Sequence, residues 1–482
     1  MLINKTSASE RVLLRSKFYK YLSFLLGILI IAGCSPNEIE VEKILLEKLN
    51  DIDGFSVTQI ANPGLEENPY KESFQVDVIQ PVDHNNPEGE KFRQRIFLSH
   101  RNSDKPMVFY TTGYGVSRNY ETELSNLTVG NQILIVHRFF PNATPAKIDW
   151  KYCSIRQAAA DQHRIKEKLK DLYPGKWVSG GTSKGGMTAL FYKRFYPEDV
   201  SATVAYVAPI MTRPDDPRFI DFLNNKVGTA ECRKKIKKFQ RLVLSRRNRL
   251  MPLLEQHVES KSYSFNIISL DEAFEYSVLE YIFQFWQYGS ESDCDVIPTD
   301  NSGDTEIFNH LMDNSPVSYY SDRYFNYYKP LFYQAYTELG YCPYVYSHIE
   351  DLLVHVLKPT YRTFAPLNEK MAFNPEVMKD VINWLTYQGS NIIYIYGSID
   401  PWTAAAVNPD PFVDSIKIIQ PGGNHGIRIH QLDQRDHVVN TLNRWLGISI
   451  SSKFLYKNKL KFYEFNKKET FPEDNSGIYN TH

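Results

Sequence analysis

The sequence predicts an α/β fold, a parallel sheet interrupted by one long helical insertion. Three observations lead there. Short apolar runs alternate with amphipathic stretches between about residues 72 and 210, as successive β–α units require. The alternation stops over 211–385, where the chain turns helical, charged and rich in Tyr and Phe. It resumes after residue 386 with two more buried-strand patterns.

Taken in order, the N-terminus comes first. Lys5, Arg11, Arg15, Lys17 and Lys20 precede an apolar run from Leu22 to Ala32, which leads into Gly33 and Cys34. The run is too short for a membrane span of about 20 residues. It suits the apolar region of a secretory signal. Ile31-Ala32-Gly33-Cys34 resembles the lipobox of bacterial lipoproteins, in which the cysteine thiol is acylated after cleavage before it. Residues 1–33 are therefore expected to be a lipoprotein signal peptide. Acylated Cys34 would anchor the chain to a lipid bilayer of the cell envelope without spanning it. An ordinary signal peptide with a chance cysteine is the alternative. Residues 34–65, acidic and polar, read as a tether and entry segment.

Strand patterns follow at 73–80, 91–98, 106–110 and 132–136. An amphipathic helix fits 154–172, ended by Tyr173-Pro174-Gly175. A short strand at 177–180, a helix at 187–195 and an apolar strand at 202–209 complete a first core segment, 66–210. The insertion, 211–385, is placed after this sixth-strand region. Strands at 391–396 and 415–419 and a helix at 432–445 make the second core segment, 386–450. The tail, 451–482, is given no function.

Composition narrows the class. The chain has 482 residues, with 55 Lys+Arg against 56 Asp+Glu and a net charge of -1. Nucleic-acid binders usually carry a strong basic excess, so that class is set aside. With 42% hydrophobic residues a core can form, and a mean hydropathy of -0.40 excludes a polytopic membrane protein. Five cysteines are an odd number. Removing Cys34 leaves Cys153, Cys232, Cys294 and Cys342, whose spacing matches no zinc motif. In an exported protein they can pair in three ways, or stay buried as small hydrophobic groups.

The chemistry centres on Gly181-Thr182-Ser183-Lys184-Gly185, a G-x-S-x-G between a strand and a helix. A strand turning abruptly into a helix strains the central residue and crowds its neighbours, so glycine is required at Gly181 and Gly185. The turn presents the Ser183 hydroxyl as a nucleophile. It also places the Lys184 N–H at a helix start, where it can stabilise an oxyanion. A tight βα turn with an incidental serine is the alternative. A serine nucleophile needs a base, and the base needs an acid to orient it. In this fold type they follow in the order Ser, acid, His. His425, in Gly423-Asn424-His425-Gly426, sits in a loop just after a strand, whereas His430 and His437 fall in or beside the last helix. Asp400, in Ser398-Ile399-Asp400-Pro401-Trp402, lies just past a strand end; Asp410 and Asp414 are rivals further off. The second oxyanion donor is expected from the turn after the third predicted strand, from Gly113 or Tyr114. This chemistry needs no metal and no organic cofactor.

These residues resemble a group of serine exopeptidases with an α/β-hydrolase core: lysosomal Pro-Xaa carboxypeptidases and dipeptidyl peptidases, and secreted bacterial tripeptidyl aminopeptidases. The matching stretches include Phe109-Tyr110-Thr111, His137-Arg138-Phe139-Phe140, Ala160-Asp161-Gln162-His163-Arg164, Ser183-Lys184-Gly185-Gly186-Met187, Asp400-Pro401-Trp402 and Gly423-Asn424-His425. The resemblance implies a triad of Ser183, Asp400 and His425 beneath a helical cap. The lysosomal branch usually has glutamates where this chain has Tyr114 and Val136. That departure favours the bacterial branch, and leaves open which acidic group binds a substrate amine. The expectation is an exported, lipid-anchored serine aminopeptidase that releases short peptides, tripeptides above all, from free N-termini. The rivals are an esterase or lipase on the same fold, and a non-catalytic surface-binding lipoprotein.

Overall fold

The computed structural model describes residues 45–63, 69–366 and 369–450. The expected signal peptide, Cys34 and the tail lie outside the described residues.

Nine strands form one sheet: β1 (Phe55–Ile60), β2 (Glu72–Pro81), β3 (Lys91–His100), β4 (Met107–Thr111), β5 (Asn131–Ile135), β6 (Trp177–Thr182), β7 (Ala202–Tyr206), β8 (Ile392–Gly397) and β9 (Ile416–Gln420). Their order across the sheet is β1-β2-β3-β5-β4-β6-β7-β8-β9. β1 to β3 pair antiparallel with one another and β3 pairs antiparallel with β5; from β5 to β9 the sheet is parallel. Beyond the added edge strand β1, this is the α/β-hydrolase architecture.

Strand composition explains the layering. β4, β5, β7 and β8 are buried at every position, as parallel strands covered on both faces must be. Alternate residues feed opposite faces. Met107 and Phe109 pack with Ile165 and Leu169 of α2 (Ile155–Leu169) and Tyr192 of α3 (Lys184–Phe195). Val108 and Tyr110 pack on the other face with Leu124 and Leu127 of α1 (Glu123–Thr128) and Val438 and Leu442 of the last helix, α10 (Arg435–Leu446).

Between β7 and β8 the described chain adds helices and no strand. The longer ones are α4 (Ala230–Ser245), α5 (Arg247–Lys261), α6 (Leu270–Tyr288), α7 (Asp304–Asn314), α8 (Asp322–Gln334) and α9 (Pro375–Tyr387). α6 starts at a capping box made by Ser269 and Glu272, and is buried on all sides from Ala273 to Gln287. It is the centre of the cap. α9 lies against α3, where Asp380 pairs with Arg194 at 2.8 Å. Cap and core share one apolar cluster: the Trp402 ring, beside the Asp400 loop, meets Phe283 of α6 at 4.9 Å and Phe219 at 5.5 Å.

Of the four cysteines left open by spacing, Cys232 and Cys294 form a disulfide with Cα atoms 5.5 Å apart. Cys153 and Cys342 are free and buried. The bridge ties the first turn of α4 to the turn just after α6.

Candidate active site

Ser183 lies between β6 and α3 with φ 56° and ψ -126°, the strained turn that its flanking glycines foretold. A Cβ on Gly181 would stand 2.4 Å from the Gly185 carbonyl carbon, and one on Gly185 2.3 Å from the Thr111 carbonyl oxygen. No side chain fits there. The same crowding brings the turn after β4 against the start of α3. Gly113, at φ +74°, has room for no Cβ, which would come within 2.4 Å of the Gly185 nitrogen.

That contact sets out the donors near the serine. The Lys184 N–H belongs to the first turn of α3, where no intrahelical acceptor exists for it. The Tyr114 N–H leans on Thr112 Oγ1 at 3.4 Å, a long contact. The Tyr114 side chain adds a group that the sequence did not reveal: its hydroxyl is hydrogen-bonded with Ser183, and burial pushes its pKa up. The Lys184 side chain folds underneath. Its Nζ donates to the Gly113 carbonyl oxygen at 2.8 Å and lies over the Tyr114 and Phe140 rings. Burial lowers this ammonium to about 7, against the pull of Cys153 and Glu338. Lys184 therefore braces the Gly113 turn from below, and its backbone N–H lies at the start of α3 beside it.

Asp400 and His425, the candidate acid and base, meet at the ends of β8 and β9. His425 Nδ1 lies 2.7 Å from Asp400 Oδ2; the aspartate is wholly buried and the histidine 6% exposed. The Asp-Pro-Trp sequence explains how the aspartate is held. Asp400 caps the turn Pro401–Ala405, its Oδ1 accepting the Trp402 N–H at 3.1 Å. The two loops are sewn together by Ser398 N–H to Gln420 O at 2.9 Å and Ile399 N–H to Gly423 O at 3.0 Å. The rivals are engaged elsewhere. Asp414 pairs with Arg444, His430 with Glu123, and Asp410 caps a turn through Phe412.

The cap and the Asp400 and His425 loops converge. The His425 N–H donates to the Gln287 carbonyl oxygen at 3.0 Å, and Asn424 Nδ2 donates to the Tyr288 and Gly289 carbonyl oxygens at 3.0 and 3.1 Å. The Tyr288 ring stands edge-on to His425 at 6.2 Å. Trp402 links the sides, its ring 6.4 Å from His425 and on the wall of a small cavity that also exposes Ser183. Met187, Met211, Leu339 and Tyr341 complete most of that apolar wall.

Two other motif residues form a buried ion pair. Arg138, fully buried, grips Asp161 through two contacts of 2.7 Å and donates to the Pro81, Val82 and Tyr152 carbonyls. Burial alone would raise the Asp161 pKa, but Arg138 and His84 hold it below the usual range. Val136 packs with Val82, Phe92 and Phe140, with Tyr114 against the same apolar cluster. Among the described residues, His163, Glu167 and Asp199 bring three potential metal ligands together. Lys166 and Lys170 already neutralise the two carboxylates, so the group reads as a surface ion-pair network.

Comparison with known proteins agrees with this chemistry. The profile of the PS-10 peptidase S37 family matches residues 47–456. The chain is 35% identical over 405 residues to a prolyl tri/tetrapeptidyl aminopeptidase of Streptomyces mobaraensis, covering 80% of this chain and 84% of that one. Among solved structures it is similar to a proline iminopeptidase of Mycobacterium smegmatis at 12% identity and a TM-score of 0.37, covering 77% of this chain and 98% of that one. An acetyl xylan esterase of Thermoanaerobacterium follows at 9% identity and a TM-score of 0.33, covering 86% and 94%. Likenesses that distant carry nothing about activity; the family match and the Streptomyces relative do. The chain belongs to the PS-10 peptidase S37 family and is a serine aminopeptidase of the α/β-hydrolase fold.

Proposed function

We propose that this aminopeptidase is exported, anchored to lipid through Cys34, and releases tripeptides from free N-termini by an acyl-enzyme route. Ser183 Oγ attacks the scissile carbonyl carbon and passes its proton to His425 Nε2. Asp400, on the far side of the ring, keeps Nδ1 protonated and stabilises the imidazolium. His425 returns the proton to the leaving amine, which departs with the rest of the substrate. A water then attacks the peptidyl ester with His425 as base, and Ser183 is regenerated. The Lys184 N–H and the N–H of Gly113 or Tyr114 receive the oxyanion, with the Tyr114 hydroxyl next to them.

The observation that carries this reading is the 2.7 Å Asp400–His425 contact, in loops tied to the cap beside the strained serine. The apolar cavity beside Ser183, walled by Tyr341 and Trp402, suits a compact ring at the residue before the scissile bond. The prolyl preference in the name of the Streptomyces relative fits that cavity.

Ser183→Ala tests the triad. It should cut peptide hydrolysis by at least about 10⁴-fold while the melting temperature holds, and should abolish labelling by a serine-directed phosphonate. Unchanged hydrolysis by this variant would overturn the assignment.

A further inference from the structure

Because α6 is buried on every side, each polar group on it needs a partner inside the protein. Glu275 has several: Arg247, and the N–H groups of Val354, His355 and Val356. Elsewhere in the interior, Asp161 has Arg138, while Glu338 accepts the Ile155 N–H and is drawn towards Lys184. Glu280 differs from all of these. It is 7% exposed, accepts the Tyr361 hydroxyl, and accepts Gln284 Nε2 at 2.8 Å. Among the described residues no basic side chain pairs with it, and burial pushes its carboxyl up to about 7. Among the described residues the buried Gln284 Oε1 beside it has no hydrogen-bond partner. Two acceptors stand together with no cation between them.

Helix spacing relates them to the His425 loop. Glu280, Gln284, Gln287 and Tyr288 share one face of α6, at the spacings that repeat along a helix. The C-terminal end of that face holds the His425 loop. Glu280 lies eight residues back from Tyr288, an axial rise of about 12 Å. A peptide of three residues in extended form reaches about 10 Å. A chain of contacts links the two places: Tyr341 lines the cavity beside Ser183, and its ring lies 4.8 Å from that of Tyr361, the donor to Glu280.

We infer that Glu280 and Gln284 Oε1 receive the α-ammonium group of the substrate, so that α6 measures about three residues from Ser183. The ammonium brings three donors and a positive charge to acceptors that lack both. An acetylated N-terminus brings no charge and one donor. The inference rests on the aminopeptidase reading above and specifies its recognition site.

The test uses the full chain and three substrates: a tripeptidyl anilide ending in proline, its N-acetyl form, and 4-nitrophenyl acetate. In Glu280→Gln, kcat/KM for the free anilide should fall by about 30-fold or more, mainly through KM, since a buried charge partner is removed. Hydrolysis of the acetylated anilide and the ester should hold. Equal discrimination against acetylation in wild type and Glu280→Gln overturns the inference and leaves the aminopeptidase reading intact. Wild type indifferent to acetylation overturns both. If Glu280→Gln also loses ester hydrolysis, Gln284→Met decides: a drop of about fivefold or more in discrimination supports the inference, and no change overturns it.

Discussion

Ser183 is the proposed nucleophile, and its surroundings are set by single atoms. The Tyr114 hydroxyl rests on it, and Lys184 Nζ holds the Gly113 carbonyl of the same turn. Tyr114→Phe removes one donor and no packing, so kcat should fall by about 100-fold with the melting temperature unchanged. An undiminished kcat would remove the phenol from the mechanism. Glu280 permits a second prediction, read in stability. Its folded pKa is raised from 4.5 to about 7, so the stability it confers is full below about 4.5 and lost as pH rises through about 7. Its titratable neighbours Tyr320, Tyr324, Tyr341, Cys342, Tyr344 and Tyr361 are all shifted upward and stay neutral across that range. Glu280→Gln should therefore gain about 2–3 kcal/mol relative to wild type between about pH 5 and 8, measured by urea unfolding. A flat difference would mean that Glu280 has an unseen cation. At this scale strand ends and chain order singled out Ser183, Asp400 and His425 as candidates, and the structure puts Asp400 in contact with His425 and Ser183 in a strained turn. Tyr114's hydroxyl and Gln287 were not legible: each acts through a tertiary contact that no local pattern encodes.

At the scale of elements, the cap is tied to the triad where α6 ends. Asn424 donates to the carbonyls of Tyr288 and Gly289, and the Cys232–Cys294 bridge closes just beyond them, across a separation of 62 residues. A loop of that length corresponds to about 4 kcal/mol on the chain-entropy account. The paired change Cys232→Ser with Cys294→Ser should lower the melting temperature and loosen the His425 loop, reducing kcat for peptides more than for a small ester. A double variant that melts like wild type would argue against the bridge as a brace. The strands of the central sheet were read within one to three residues because unbroken apolar runs bounded by polar turns leave little choice. Two elements escaped. β1 is an edge strand with half its residues exposed, and its alternation resembled a tether. α1 has six residues, all buried, too few to display a helical period. Cysteine pairing was out of reach as well, since spacing cannot rank three connectivities.

For the whole molecule, one apolar cluster runs from α3 through the cap to the Asp400 loop, so the cap is part of the site. The near-neutral chain, with net charge -1, meets its substrate through a buried carboxylate and an apolar cavity instead of a broad charged field. The proposed anchor has its own test. Cys34→Ser should move the protein from the membrane fraction to the soluble exported fraction, and continued sedimentation with membranes would contradict lipidation at that residue. The central claim is that this chain removes tripeptides from free N-termini, and product mapping tests it most directly. A decapeptide with proline at its third position is incubated, with free and with acetylated N-terminus, and the products are read by mass spectrometry. The account predicts release of the N-terminal tripeptide from the free form and at least a tenfold slower reaction of the acetylated one. Internal cleavage, or equal cleavage of both forms, would contradict it.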